Sequence, residues 1–206
     1  MASPGMPLLI VFGGLPGTGK TTIARELTGR LAASYVRIDA IEQSLRAAGL
    51  SVGPMGYVIA NAIAAENLRI GRAVIADCVN PVLASREGWR ETASKNGARL
   101  VEIEVICSNA AEHRKRVEGR LADIDGLKVP SWDDVTHRAY EPWDRERVVL
   151  DTATGSIDQL VDRIAAGLLR PQRQRAVGGG IQVADVGRDI EQSALRGKHL
   201  GWSLLW

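Results

Sequence analysis

The sequence predicts an α/β protein, a three-layer sandwich with helices on both faces of a parallel sheet. Two observations predict it. Strand-like apolar runs alternate with helix-like amphipathic stretches, and a glycine-rich loop stands between the first run and the first helix. With 206 residues, the chain is long enough for one sizeable domain and short for two.

The first run, Leu8-Leu9-Ile10-Val11-Phe12, is continuously apolar with β-branched members, which suits a strand over 8–13 buried on both faces. Gly14 to Thr21 then read Gly-Leu-Pro-Gly-Thr-Gly-Lys-Thr, a complete G-x-x-x-x-G-K-[ST] phosphate-binding loop. A helix over 20–33 follows, because Ile23, Ala24, Leu27 and Leu31 recur at helical spacing while Arg25, Glu26 and Arg30 point elsewhere. This order supplies an anion cradle from backbone N–H groups and a helix N-terminus. Gly14, Gly17 and Gly19 permit close phosphate approach, and Leu15, Pro16, Thr18 and Thr22 complete the cradle. Lys20 reaches the β and γ phosphates as a flexible point charge. Thr21 offers its hydroxyl to Mg²⁺, a hard ion that takes few protein ligands. The expected ligands are a nucleoside triphosphate, ATP, and Mg²⁺.

Further strands are predicted over 35–39, 73–77, 99–107 and 148–151, and helices over 40–48, 56–70, 83–96, 109–122 and 156–169. Asn109 and Ser156 are the expected N-caps. Pro171 stops the last helix, and Gly178-Gly179-Gly180 argues against another core element. The expected organisation is a domain over 1–170 and a flexible or loosely packed tail over 171–206. Arg173 and Arg175 there read as solvated charge, and Trp202 and Trp206 are candidates to dock the tail on the domain.

In open parallel sheets ligands gather beyond the carboxyl ends of the strands, and three predicted strands end in an acid: Asp39, Asp77 and Asp151. Asp39 is the candidate to accept or orient the proton of an attacking hydroxyl, with a helix N-cap as the competing reading. Asp77 follows a hydrophobic run, as do acids that hold Mg²⁺ through water, against a plain loop-capping role. Cys78 stands where a hydrolysing motor commonly places glutamate. On the predicted helix over 109–122, Arg116 and Arg120 share a face that could clamp the γ phosphate, unless Glu112 and Glu118 balance an exposed basic helix. Arg46 is either a substrate contact or the partner of Glu42 four residues earlier, and the connection from Gly53 to Tyr57 is a candidate pocket wall.

Composition excludes some functions. The 26 basic and 24 acidic residues give a net charge of +2, no global case for a nucleic-acid or membrane partner. No apolar run approaches the ~18 residues of a spanning helix, and no leader pattern opens the chain, so a cytoplasmic protein is expected. Cys78 and Cys107 read as unpaired thiols, and His113, His137 and His199 as surface groups without ligand spacing.

Taken together, the Gly14 to Thr22 loop, Arg-Ile-Asp39, Ile-Ala-Asp77, the Arg-bearing stretch and Asp151-Thr152 resemble, in this order, the small P-loop kinases. That group includes gluconate, shikimate and adenylylsulfate kinases, chloramphenicol phosphotransferase, polynucleotide kinase, zeta toxins and small bacterial AAA-domain proteins. The resemblance spans about 8–169. It implies a five-stranded sheet in the order 2-3-1-4-5, an Arg-bearing lid over ATP, and passage of Thr152 and Ala153 beside adenine. The sequence after Asp39 matches neither the gluconate nor the shikimate form, and Leu127 to Tyr140 reads as an insertion. The expected function is transfer of the γ phosphoryl of ATP to a hydroxyl of a small molecule, with Lys20, Asp39, Arg116 and Arg120 catalytic and Asp39, Arg46, Tyr57 and Asp77 on the substrate. Two alternatives stand beside it: a polynucleotide 5′-hydroxyl or nucleotide-sugar kinase, and a non-enzymatic nucleotide switch.

Overall fold

The structure, a computed structural model, describes residues 6–169. Twelve elements follow one another there. They are β1 (Leu8–Gly13), α1 (Lys20–Leu31), β2 (Ser34–Arg37), α2 (Ile38–Ala47), α3 (Met55–Arg69), β3 (Val74–Asp77), α4 (Leu83–Lys95), β4 (Arg99–Ile106), α5 (Ala110–Glu118), α6 (Trp132–Thr136), β5 (Val148–Asp151) and α7 (Ile157–Leu169). The strands form one sheet in the order β2-β3-β1-β4-β5, and every pairing is parallel. Both the α/β class and the expected strand order hold. The expectations for the tail, including its basic and Trp residues and His199, lie outside the described residues.

The continuous apolar character of β1 follows from its place at the centre of the sheet. Leu9 and Val11 face a core shared with α3 and α4, where Ala60, Ala64, Leu68 and Trp89 are buried. Ile10 and Phe12 face the opposite layer, with Ile23, Ala24 and Leu27 of α1 and Val161 of α7. Full burial of each Leu, Ile, Val or Phe side chain among them contributes on the order of 1.5–3 kcal/mol. The register Arg37↔Asp77 brings the ends of β2 and β3 side by side.

Two boundaries differ from the sequence reading in ways that move functional residues. The strand predicted over 35–39 ends at Arg37, and α2 begins at Ile38, so Asp39 lies in the first helical turn and does not close a strand. The N-cap is Arg37, without a side-chain capping bond, so Asp39 is not the cap. An acid in the first turn complements the helix dipole, and burial of Ile38 starts the turn early. The helix predicted over 109–122 stops at Glu118, where Gly119 is the C-cap. Glycine is a poor helix former, so Arg120 lies on the following connection. Inside the stretch read as an insertion, α6 begins with a capping box between Ser131 and Asp134, a short-range signal present in the sequence. Asn109 caps α5 as expected, its side chain accepting from Glu112 N, and Ser156 Oγ accepts from Gln159 N at 3.3 Å.

The turn after β3 is held by Arg86, which is fully buried on α4. Its guanidinium donates to the carbonyls of Asn80 (3.1 Å), Pro81 (3.2 Å), Glu141 (2.7 Å) and Pro142 (2.8 Å). It also lies over the Trp143 ring, 4.3 Å from the centroid. One side chain therefore joins the turn beside the phosphate loop to the chain approaching β5. Among the described residues, no helix is long and apolar enough to cross a membrane.

Replacing this anchor leaves four carbonyls, that of buried Asn80 among them, without their donor. Arg86→Leu is expected to lower stability by roughly 1–3 kcal/mol or more, the cost of a buried acceptor left unsatisfied. Urea unfolding checks this, and a loss below about 1 kcal/mol would show that the carbonyls find other partners.

Candidate active site

The loop after β1 folds tightly because its glycines allow it. Gly14 has φ +129°, and a Cβ there would lie 2.2 Å from Val105 O. Gly17 has φ +83°, and a Cβ would meet Val117 Cγ2 of α5 at 2.5 Å. Any L side chain would therefore be strained in backbone and blocked in space. Gly14 N donates to Val79 O at 3.0 Å, which ties the loop to the turn after β3.

The loop's carbonyls are satisfied from outside or within. Leu15 O accepts from Thr18 Oγ1 at 2.9 Å and from Lys20 Nζ at 2.7 Å. Pro16 O lies 2.8 Å from His113 Nε2, and a carbonyl accepts, so this nitrogen carries the proton. Thr18 O accepts from Thr152 Oγ1 at 2.9 Å. At the start of α1, Gly19 is a left-handed N-cap without a side-chain bond, and the first turn contains no acid. The positive end of that helix is left to a ligand, which fits an anion.

His113 corrects the reading of all three histidines as surface groups. It is buried under the loop, and its ring meets Trp132 edge-on with centroids 5.2 Å apart. The N-cap at Asn109 places His113 and Val117 four apart on one face of α5, and that spacing was the available signal. His137, in contrast, is exposed.

Two cavities adjoin the loop. One of about 450 Å³ is lined by Gly17, Gly19, Lys20, Thr21, Thr22, Arg25, Arg116, Arg120 and Asp123, among others. The other, about 480 Å³, is lined by Lys20, Thr21, Asp39, Glu42, Arg46, Tyr57, Asp77, Cys78, Arg120 and the chain from Gly126 to Pro130, among others. Lys20, Thr21 and Arg120 line both. The residues singled out for the acceptor side, Asp39, Arg46, Tyr57 and Asp77, thus share one cavity, although 38 positions separate Asp39 from Asp77 in the chain.

Electrostatics inside this space are dominated by burial. Desolvation lowers the Lys20 ammonium to about 8, against the opposing pull of Asp77 and Asp39. Asp77 is buried, accepts from Tyr35 Oη at 2.7 Å and pairs with Arg37 Nε at 3.8 Å. Burial pushes the Cys78 thiol well above its usual range, and its Sγ lies 3.1 Å from Phe12 O. Tyr57 Oη accepts from Asn80 N at 3.0 Å.

Other candidates have their polar groups committed. Arg116 donates to Thr152 Oγ1 at 2.7 Å, to Thr152 O at 3.1 Å and to Glu112 at 3.0 Å. Arg114 pairs with Glu118 at 2.7 Å, so the balancing acids of the basic helix are both used. Arg46 pairs with Glu42 at 3.0 Å. Asp151 accepts from Ser108 N and Ala153 N, each at 3.0 Å, and so braces the turn after β5. Sequence reasoning missed Arg37, Tyr35 and Asp123. Arg37 is buried at the end of β2 and makes a bidentate pair with Asp123, at 2.7 and 2.9 Å.

The donor set suits Mg²⁺ rather than a metal held wholly by protein. Thr21 and Asp77 line the same cavity, and among the described residues no three His, Cys, Asp or Glu side chains cluster as ligands. Mg²⁺ takes one or two protein oxygens and keeps water or phosphate oxygens for the rest.

Comparison with known proteins agrees with this fold. The probable adenylyl-sulfate kinase of Aeropyrum pernix is 26% identical over 171 residues, covering 75% of this chain and 88% of that protein. The fold is shared with the APS kinase of Mycobacterium tuberculosis solved with AMPPNP and APS, at TM-score 0.60 and 18% identity over 80% of this chain and 99% of that one. It is also shared with a gluconokinase from Sinorhizobium meliloti 1021, at TM-score 0.56 and 20% identity over 79% of this chain and 92% of that one. The AAA domain family AAA_33 matches residues 9–142, from the first core residue of β1 to the segment stapled by Arg86. On that match, which spans more than half of the sequence and contains the phosphate loop, Asp39, Asp77 and Arg120, the chain belongs to the AAA domain family AAA_33.

Proposed function

We propose that this protein is a kinase that transfers the γ phosphoryl of ATP to a hydroxyl of a small molecule. The observation that carries the reading is the junction of two cavities at Lys20, Thr21 and Arg120, one bounded by the phosphate loop and the other by Asp39. A nucleotide switch needs only the first cavity. The second, with Asp39, Arg46 and Tyr57 in its lining, has the character of an acceptor site.

Each residue has a role in this reading. The loop's N–H groups and the open start of α1 hold the β and γ phosphates. Lys20 moves from Leu15 O to the phosphates and, once paired with them, regains its full charge. Mg²⁺, held by Thr21 and by Asp77 through water, would neutralise phosphate charge. Asp39 orients the acceptor hydroxyl in line with the γ phosphorus and takes its proton. The acceptor oxygen bonds to phosphorus as the bond to the bridging oxygen breaks, and ADP leaves. Arg120, at the junction, stabilises charge on the transferring group. Arg116, fixed to Thr152, instead frames the far end of the nucleotide groove. The relatives named as APS kinase and gluconokinase support phosphoryl transfer to a small molecule. Balanced charge counts against a polynucleotide acceptor, which would favour a basic groove.

Asp39→Asn is expected to cut acceptor-dependent ADP release by ~100-fold or more, the low end for a positioned base, with the affinity for AMPPNP unchanged. A screen of hydroxylated metabolites, antibiotics and 5′-hydroxyl oligonucleotides supplies the acceptor. Full turnover in the variant would remove Asp39 from the mechanism, and hydrolysis indifferent to every acceptor would favour the switch.

Lys20 gives a pH signature. Its ammonium in the free protein titrates near 8, and only the protonated form attracts phosphate. AMPPNP affinity should therefore weaken as pH rises above about 8, by up to ~10-fold per pH unit, and binding near pH 8 should take up a proton. Calorimetry in buffers of different ionisation heat measures that uptake. Lys20→Ala should bind at least ~10-fold more weakly, with a flat profile from pH 7 to 9. An unchanged affinity would mean that the nucleotide site is misassigned.

A further inference from the structure

The chain between α5 and α6 forms one wall of the acceptor cavity, from Gly126 to Pro130, and carries Arg120 to the junction of the two cavities. Its attachment to the rest of the molecule is sparse. Among the described residues, backbone hydrogen bonds donated by 119–130 reach only α5 or the segment itself: Gly119 to Lys115, Arg120 to Val117 and Leu127 to Ile124. No strand pairs with it. Among the described residues, its side-chain hydrogen bonds to the body all pass through one carboxylate, Asp123.

That carboxylate is held firmly. Arg37 Nη1 and Nη2 donate to its two oxygens at 2.7 and 2.9 Å, the parallel fork geometry that makes guanidinium–carboxylate pairs strong. Arg25 of α1 donates to Oδ2 at 2.7 Å, and Arg120 lies 3.8 Å from Oδ1. The hydrogen bonds from Arg37 hold the Asp123 carboxyl far below the usual carboxylate range. The Arg37 side chain is only 4% exposed, whereas Asp123 is 33% exposed, so a buried receptor meets a carboxylate at the surface.

Arg37 also touches the chemistry. Its Nη2 lies 3.5 Å from Asp39 Oδ2, and its Nε lies 3.8 Å from Asp77 Oδ2. One buried guanidinium is therefore shared among the segment's carboxylate and two site carboxylates. If Asp123 leaves, the positive charge stays buried, with Asp39 and Asp77 as its remaining acidic neighbours, and draws them toward itself.

We propose that Asp123 is a latch that fixes the acceptor-cavity wall and Arg120 against the body, and that Arg37 is its receptor and a positioning residue for Asp39 and Asp77. Latching then does two things together. It brings Arg120 to the junction, and it takes up the Nη1 and Nη2 donors of Arg37 so that Asp39 is left for the acceptor. The rate consequence rests on the phosphotransfer reading. The attachment of the segment does not.

Amide exchange followed by mass spectrometry on the full chain tests the latch without any acceptor. In Asp123→Asn, the hydrogen-bonded amides of Arg120 and Leu127 are expected to exchange ~10-fold faster or more, while those of β1, β3 and β4 stay at the wild-type rate. Arg37→Lys, which cannot fork, should give the same pattern, and the double variant should be no faster than the quicker single. Wild-type exchange in Asp123→Asn, or effects that multiply in the double, would overturn the latch whatever the protein phosphorylates. Should Arg37→Lys fail to fold, Asp123→Glu replaces it: the retained charge should restore most of the protection, and a loss equal to that of Asp123→Asn would also count against the latch.

The positioning role is read from slow MgATP hydrolysis with water as acceptor. In Asp123→Asn, kcat should fall ~10-fold or more and by a clearly larger factor than KM for ATP changes, since misplacement at the reacting centre costs rate more than ground-state binding. Asp123→Glu should recover most of that rate. A loosened segment with unchanged kcat would overturn the positioning role and leave the Asp39→Asn test of phosphotransfer intact.

Discussion

A loop that aims its N–H groups inward must send its carbonyls elsewhere, and the architecture around the phosphate loop answers that constraint. Buried carbonyls need donors. Leu15 O takes Thr18 and Lys20, Pro16 O takes His113, and Thr18 O takes Thr152. These donors come from the loop, from α5 and from the turn after β5. The loop's shape is thus coupled to two distant pieces of chain, and each of those pieces is itself braced: α5 by the Asn109 cap, the turn by Asp151 and Arg116. Preorganisation here means that the anion site is built before any anion arrives.

The cavity that holds Asp39 and Asp77 is built on a different principle. Its carboxylates are placed by register and by one shared cation. Arg37 and Asp77 are neighbours across β2 and β3, and Asp39 follows Arg37 by two residues, so a single guanidinium reaches both. Burial makes this arrangement sensitive, because a charge removed from water must be matched by others close by. Lys20 is under the same pressure from the other direction, its ammonium lowered by desolvation while Asp77 and Asp39 resist.

Much of this was legible in the sequence because it is local. The apolar run of β1, the glycines of the loop and the Asn109 cap are signals that act within a few residues, and the strand and helix order follows from them. Asp39 and Asp77 were legible as candidates because parallel sheets place strand ends together, and Arg46 and Tyr57 because they lie on the helix after Asp39 and on the connection that follows it. What failed was tertiary. His113 reads as one more polar residue on a basic helix until Pro16 O is placed beside it. Arg37 and Asp123 are 86 positions apart, and no pattern in either neighbourhood announces the pair. The early start of α2 was missed because Arg-Ile-Asp continues a plausible strand, whereas β2 ends at Arg37.

The bare start of α1, with its glycine cap and no acid in its first turn, bears on how the protein persists in a cell. Most helices soften that end with a capping side chain, typically about 1 kcal/mol of stability. This one leaves the favourable term to its ligand, so the free chain is the less durable form. A ligand present at a hundred times its dissociation constant adds about 2.7 kcal/mol, enough to change the unfolded population about a hundredfold. A ligand at the start of α1 would thereby lengthen the lifetime of the folded chain, and its loss would shorten it.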